Sequence, residues 1–422
     1  MVEKFVIEGR KPLRGEIRVR GAKNAAFPLL AATLLTKEEC IIENLPLIED
    51  VFLTVELLKS LGAEVSWQGK RILKVRAREI NPAAIKKDLI SKFRGSALLL
   101  GPLLTRFHQA KLPQPGGCLI GARPIDTHLD AFSQLGIKIS SEHNNFKLKL
   151  PNFLKGGKVI LNEFSVTATE NILLFSSLIP KKIVIQNADA DYSVQELAKF
   201  LKKMGVKIKG IGTHKLEIEG QKRLKGVRHK LISDPIEAGT FILMAACAKG
   251  KVLVKNIEIP FLEFTLKKLR DFGLPFQVVS KNSVKIEPWT SLKIYKIQSL
   301  PYPGLATDLL PLFGVLATQI QGPTLIHDPL YEGRLKYLEE LNKMGGQIIF
   351  ADPHRAIVSG PTPLYGIRVT SPDLRGGASL IAAALIAKGQ TVIENIYQID
   401  RGYERIEERL QKIGADIKRI KD

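Results

Sequence analysis

A phrase of eight or nine residues recurs six times along the chain, and this recurrence limits the fold more than any other feature. It runs L-L-K-S-L-G-A-E-V, F-S-Q-L-G-I-K-I, F-L-K-K-M-G-V-K-I, L-R-D-F-G-L-P-F, L-N-K-M-G-G-Q-I and L-Q-K-I-G-A-D-I. Its glycines are Gly62, Gly136, Gly205, Gly273, Gly345 and Gly414, spaced 68 to 74 residues apart. Each glycine closes an amphipathic helical pattern and opens an alternating one, as a left-handed helix cap feeding a strand does. Periodicity of this length implies one supersecondary unit used six times.

The remainder of the unit repeats as well. Two short strands follow, as in K-F-V-I-E-G then G-E-I-R-V-R, or K-L-E-I-E-G then R-H-K-L-I-S. A helix rich in small apolar residues comes next: Asn24 to Leu35, Ser96 to Leu104, Ala168 to Ile179, Glu237 to Ala248, Asp308 to Gln319 and Ala378 to Ala387. These segments are apolar nearly all round, which predicts burial. The longer helices, such as Tyr403 to Ile413, carry one charged face and should be half exposed. The expectation is an α/β chain with helices buried behind outer sheets. Six units of about 70 residues exceed one hydrophobic core, so three units per domain is the natural division.

The 422 residues are 45% apolar, but the longest apolar runs fall short of a bilayer span. The opening M-V-E-K-F-V-I-E-G alternates like a strand, where an export signal would be basic and then apolar. Three cysteines in unlike contexts, Cys40, Cys118 and Cys247, suit a reducing, cytoplasmic setting without disulfides or a metal cluster. A net charge of +21 favours anionic partners, or a lysine-rich surface that keeps the chain soluble. Nucleic acid fits poorly: the lysines are dispersed, and aromatics make up only 7%.

Cations gather at equivalent turns of the repeat. Lys23, Arg94 and Arg375 each precede a small-residue helix, where free N–H groups and the helix dipole favour an anion. Arg123, Arg334 and Arg401 occupy the other elbow, 11 to 13 residues before a repeat glycine. Any one of them suits a solvated or carboxylate-paired arginine; as a set they suggest a polyanion site. Cys118 stands in the turn-dense loop L-P-Q-P-G-G-C-L-I-G-A-R-P, close in sequence to Arg123. A neighbouring guanidinium favours a thiolate, hence a nucleophile or a proton shuttle. Cys40 and Cys247 fit buried apolar positions. Asp308 begins a small-residue helix, where first-turn dipole stabilisation also accounts for it. No nucleotide-cofactor motif or metal-ligand spacing is present.

G-A-K-N at 21–24, P-G-G-C-L-I-G-A-R-P-I-D-T-H at 115–128 and I-D-R-G-Y-E-R-I-E at 399–407 resemble the UDP-N-acetylglucosamine 1-carboxyvinyltransferase family of enolpyruvyl transferases. The resemblance runs essentially end to end. It implies two inside-out, barrel-like α/β domains of three units each with an active-site cleft between them. One domain would comprise 1–22 with 233–422, the other 23–232. It also implies phosphoenolpyruvate and UDP-N-acetylglucosamine as substrates, with no cofactor, metal, nucleic acid or membrane.

By the same resemblance, Lys23, Arg123 and Arg401 grip the phosphate of phosphoenolpyruvate, with Asn24 adjacent and Arg334 and Arg375 at its carboxylate. Asn24, Arg94, Arg123, Pro124, Ile125, Asp126, Thr127, Ser165, Val166, Asp308 and Leu330 line the UDP-sugar site. Cys118 protonates the methylene carbon while Asp308 accepts the sugar hydroxyl proton. The sequence departs from the family pattern at Glu163, at A-D-Y-S (190–193) and at Pro235. These departures motivate a second reading, a catalytically silent paralogue that still binds UDP-sugars.

Overall fold

The computed structural model describes residues 3–421 apart from 114, 117–119, 122–123, 143–144, 153 and 155. The chain divides into two compact units. A terminal unit comprises Met1–Arg20, Leu119–Ala122 and Ser233–Asp422; an inserted unit comprises Gly21–Cys118 and Arg123–Ile232.

Among the described residues the strands form six sheets, five of four strands and one of three. All six repeat glycines adopt left-handed backbone, with φ between 81° and 113°. After each of the first five caps the chain runs through two antiparallel strands, the second of which pairs with the strand that precedes the amphipathic helix. In the inserted unit, for example, Lys207–Lys209 pairs with Lys215–Glu219, which pairs with Lys182–Gln186. The fourth strand of each larger sheet enters in parallel, as Gly157–Ile160 does beside Lys182–Gln186 with the helix Val166–Ser176 between them.

Two of these parallel entries are exchanged. Arg14–Arg18 and the strand following the next buried helix, Glu39–Glu43, do not pair with each other. Arg14–Arg18 pairs instead with Lys251–Lys255, and Arg228–Lys230 pairs with Glu39–Glu43. The passages at Arg20–Gly21 and Ile232–Ser233 lie inside these exchanged connections. Within the inserted unit Ala22 N–H donates to Ile232 O at 2.9 Å; within the terminal unit Asp234 N–H donates to Arg20 O at 2.8 Å. The successive short strands of the sequence pattern therefore belong to neighbouring sheets rather than to one hairpin.

The small-residue helices form the cores. In the terminal unit Pro235–Cys247, Leu310–Ala317 and Leu374–Ile386 touch one another, and all thirteen residues of the first are buried. In the inserted unit Val166–Ser176 packs on both Lys23–Ala32 and Leu100–Phe107. Close approach there depends on Gly101, where a Cβ would stand 2.6 Å from Asn171 O. Fully burying each Leu, Ile or Phe in these layers contributes roughly 1.5–3 kcal/mol.

Two helices differ from expectation. The segment Ser96 to Leu104 starts as a 3-10 turn, Arg94–Leu99, before the α-helix Leu100–Phe107. Gly101 N–H is diverted to Asn171 Oδ1 at 2.9 Å and Pro102 has no N–H, so the ladder cannot begin earlier. Of the expected helix Tyr403 to Ile413 only Ile406–Gln411 is α-helical, preceded by left-handed Arg405 with φ 43°.

Candidate active site

The terminal unit assembles a carboxylate between two buried guanidiniums. Asp308 lies in the 3-10 turn Thr307–Leu309 that leads into Leu310–Ala317. Arg375 enters from the first turn of Leu374–Ile386, a start fixed by Asp373, whose side chain accepts from Arg375 N–H and Gly376 N–H. Arg334 comes from the turn Arg334–Lys336. Arg334 Nη2 donates to Asp308 Oδ1 at 3.0 Å, and Arg375 Nε donates to Asp308 Oδ2 at 2.9 Å. Both arginines are only 3% exposed.

The acidic surroundings keep these guanidiniums charged. Burial opposes the charge on Arg334, but Asp308, Asp373 and Asp328 outweigh it and hold the group above its ordinary range. Arg375 is shifted the same way: burial opposes its charge, and Tyr403 and Asp308 more than compensate. The Tyr403 ring lies 5.2 Å from that guanidinium, and its hydroxyl meets Thr240 Oγ1 at 2.9 Å. Arg375 Nη1 and Nη2 have no hydrogen-bond partner among the described residues. Buried donors in that condition are suited to an incoming anion, since an unmet donor costs about 1–3 kcal/mol.

Asp328 ties a further expected residue to this cluster. It accepts from Thr307 Oγ1, and through its other oxygen from Leu330 N–H at 2.9 Å. Arg401, 7% exposed in the same unit, donates to Gln398 Oε1 at 3.2 Å. Asp328 and Asp373 went unrecognised in the sequence. Asp373 carried a usable signal, an aspartate directly before a helical pattern; Asp328 carried none.

The inserted unit gathers the other expected residues at helix starts. Lys23 opens the helix Lys23–Ala32 beside half-buried Asn24, with its Nζ 3.3 Å from Asp50 Oδ2 and 4.9 Å above the Phe27 ring. Arg94 Nη2 donates to Pro124 O at 2.9 Å, joining the Arg94 turn to buried Ile125 and the helix Asp126–Gln134. Ser165 caps Val166–Ser176 by accepting from Ala168 N–H. Glu163, the departure beside this start, accepts from Thr127 Oγ1 at 2.8 Å, so its carboxylate is turned onto the neighbouring helix. Cys118 and Arg123 lie outside the described residues. The other two cysteines are buried, as expected, and burial pushes the Cys40 thiol up to about 11. Among the described residues no helix is long and apolar enough to cross a membrane.

Comparison with known proteins places this α/β fold of repeated units among the carboxyvinyl-transferring enzymes. The family model for EPSP synthase (3-phosphoshikimate 1-carboxyvinyltransferase) matches residues 7–410, and the chain belongs to this enolpyruvyl transferase family. A UDP-N-acetylglucosamine 1-carboxyvinyltransferase of Koribacter versatilis is 42% identical, over 99% of this chain and 97% of its own length. One from Helicobacter pylori is 39% identical over 99% of both chains. In fold, the chain is similar to the enolpyruvyl transferase NikO from Streptomyces tendae, with TM-score 0.89 at 24% identity over 99% of each. EPSP synthase from Acinetobacter baumannii gives 0.77 at 17% identity over the full length of both.

Proposed function

We propose that this enzyme transfers the enolpyruvyl group of phosphoenolpyruvate to the 3′-hydroxyl of UDP-N-acetylglucosamine, releasing phosphate. This is the first committed step of peptidoglycan precursor synthesis. The observation that carries the reading is identity near 40%, over essentially the whole chain, to several 1-carboxyvinyltransferases named for that UDP-sugar.

The residues are assigned as follows. Asp308 takes the proton of the 3′-hydroxyl as its oxygen bonds to C2 of phosphoenolpyruvate, and the Cys118 thiol delivers a proton to the methylene carbon. A tetrahedral ketal results. The Cys118 thiolate takes back a proton from the new methyl group as phosphate departs, which regenerates the double bond. Arg334 and Arg375 face the carboxylate, while Lys23, Arg123 and Arg401 bind the phosphate and stabilise it as it leaves. Asn24, Arg94, Pro124 to Thr127, Ser165, Val166 and Leu330 orient the UDP-sugar. Two guanidiniums on one carboxylate fix Asp308 in place, as a positioned base requires. Under this reading 1–22 with 233–422, and 23–232, are inside-out barrel-like domains of three units each, acting on the same pair of substrates in the cytoplasm.

The family model, described by its 3-phosphoshikimate activity, supplies the competing acceptor. Phosphate release from phosphoenolpyruvate is to be measured with UDP-N-acetylglucosamine and with shikimate 3-phosphate. Release with the UDP-sugar alone is expected. Release with shikimate 3-phosphate alone would replace this reading with the other.

A further inference from the structure

His128 closes the sequence phrase that contains Cys118, yet the mechanism gives it no part. It is 1% exposed and stands in the first turn of Asp126–Gln134, one residue after Thr127. Its Nε2 lies 3.0 Å from Thr167 Oγ1 and its Nδ1 lies 2.8 Å from Asn171 Nδ2. Thr167 and Asn171 are one turn apart on Val166–Ser176, so a single ring reaches both. Asn171 continues outward: Nδ2 donates to Ala97 O at 2.9 Å, and Oδ1 accepts from Gly101 N–H at 2.9 Å.

These contacts leave one proton arrangement. Gly101 N–H can only donate and Ala97 O can only accept, so the Asn171 amide cannot be flipped. Its second N–H therefore points at His128 Nδ1, which must carry a lone pair. The ring proton then sits on Nε2 and is donated to Thr167 Oγ1. A doubly protonated ring would set N–H against N–H at 2.8 Å. Burial and the nearby Arg94 charge push the imidazole down to about 3, in keeping with a permanently neutral ring. Having accepted from His128, the half-buried Thr167 hydroxyl has no second partner among the described residues, and its own proton is left for an acceptor outside the protein.

We propose that His128 is a positioning residue for the UDP-sugar: with Asn171 it locks together the turns bearing Arg94, Thr127 and Val166, and it turns the Thr167 hydroxyl into a donor toward the ligand. The inference rests on the functional reading above and adds Thr167 to the groups that contact the UDP-sugar.

The test uses the full chain and titration calorimetry with UDP-N-acetylglucosamine. His128→Phe keeps the bulk and removes both hydrogen bonds; Thr167→Val removes only the hydroxyl and keeps the question open should the first variant fail to fold. Each is expected to raise Kd roughly tenfold, the loss expected for one hydrogen bond to a charged ligand. KM for phosphoenolpyruvate should stay unchanged. His128→Gln can accept from Asn171 and donate to Thr167, and should restore binding to within about threefold of wild type. Nitrogen NMR of histidine-labelled protein should show His128 as the Nε2–H tautomer from pH 5 to 9. A Nδ1–H tautomer, or wild-type affinity in both His128→Phe and Thr167→Val, overturns the proposal. A wild-type protein that does not bind the UDP-sugar overturns the functional reading, and the positioning role with it.

Discussion

Asp308 holds Arg375 through a single hydrogen bond, Oδ2 to Nε at 2.9 Å, and leaves both Nη nitrogens of that buried guanidinium without an acceptor among the described residues. A fixed charge with unmet donors is preorganised for an anion, because the cost of arranging it was met during folding. Phosphoenolpyruvate should therefore raise Tm strongly, by an amount corresponding to about 2.7 kcal/mol at a hundred times Kd. In Arg375→Met most of that shift should vanish and KM for phosphoenolpyruvate should rise at least about tenfold. A thermal shift equal to wild type would remove Arg375 from the anion site.

Alkylation should single out one thiol. Burial pushes the Cys40 thiol up to about 11 and Cys247 higher still, so neither offers thiolate near neutrality. An epoxide reagent should add once to the folded protein, as read by intact mass, and not at all to Cys118→Ala. That variant should also lose phosphate release; retained turnover would take the thiol out of the mechanism.

Glu163 is the departure with the clearest expected effect. Its carboxylate holds the Thr127 hydroxyl 2.8 Å away, beside the helix start assigned to the UDP-sugar. Glu163→Ala frees that hydroxyl and removes one negative charge from the approach of an anion. The KM for UDP-N-acetylglucosamine should fall about two- to fivefold, and the gain should shrink as salt is added. An unchanged KM at low salt would mean that Glu163 does not face the ligand.

Stability should depend on a buried pair in the terminal unit. Arg409 donates to both oxygens of Glu237, at 3.0 and 2.6 Å, and also to Arg18 O; Arg20 N–H donates to Glu237 as well. Glu237→Leu would strand the Arg409 charge and should cost about 3–5 kcal/mol in chemical denaturation. A loss below about 1 kcal/mol would show that the pair is already open to water.

Glu170 should give the protein an acid-side stability bias. Burial is the main cause that holds its carboxyl well above the ordinary 4.5, while Ser193 Oγ, donating to Oε1, opposes that shift. The native state keeps a proton that the unfolded chain releases. Its contribution is therefore greatest below about 4.5 and is lost as pH rises from there through the folded-state value. Glu170→Gln cannot ionise, so its stability relative to wild type should climb between pH 5 and 8. A constant difference across that range would contradict the protonated native state.

What could be read from the chain was mostly local. The six glycines reported their own left-handed caps because that requirement acts within a single turn. Lys23, Arg94 and Arg375 stood out because helix starts leave marks in sequence. The exchange of Arg14–Arg18 into the sheet of Lys251–Lys255 left no mark, since it joins segments more than two hundred residues apart. The same holds for Asp328 beside Arg334, and for Asn171 reaching His128. The helix expected from Tyr403 to Ile413 was overestimated because amphipathic spacing continues through Arg405, where the backbone turns left-handed.

The strand Glu3–Glu8 lies between Gln390–Glu394 and Asp416–Lys421, paired to both. It precedes both neighbours by more than 380 residues of chain. At roughly 5–20 residues per second of synthesis, it waits on the order of tens of seconds before either exists. The inserted unit, whose strands among the described residues pair only with one another, can be complete by then. The terminal unit cannot close this sheet until Gln390–Glu394 and Asp416–Lys421 have been made, so the nascent chain carries Glu3–Glu8 without its final partners while the intervening residues are synthesised.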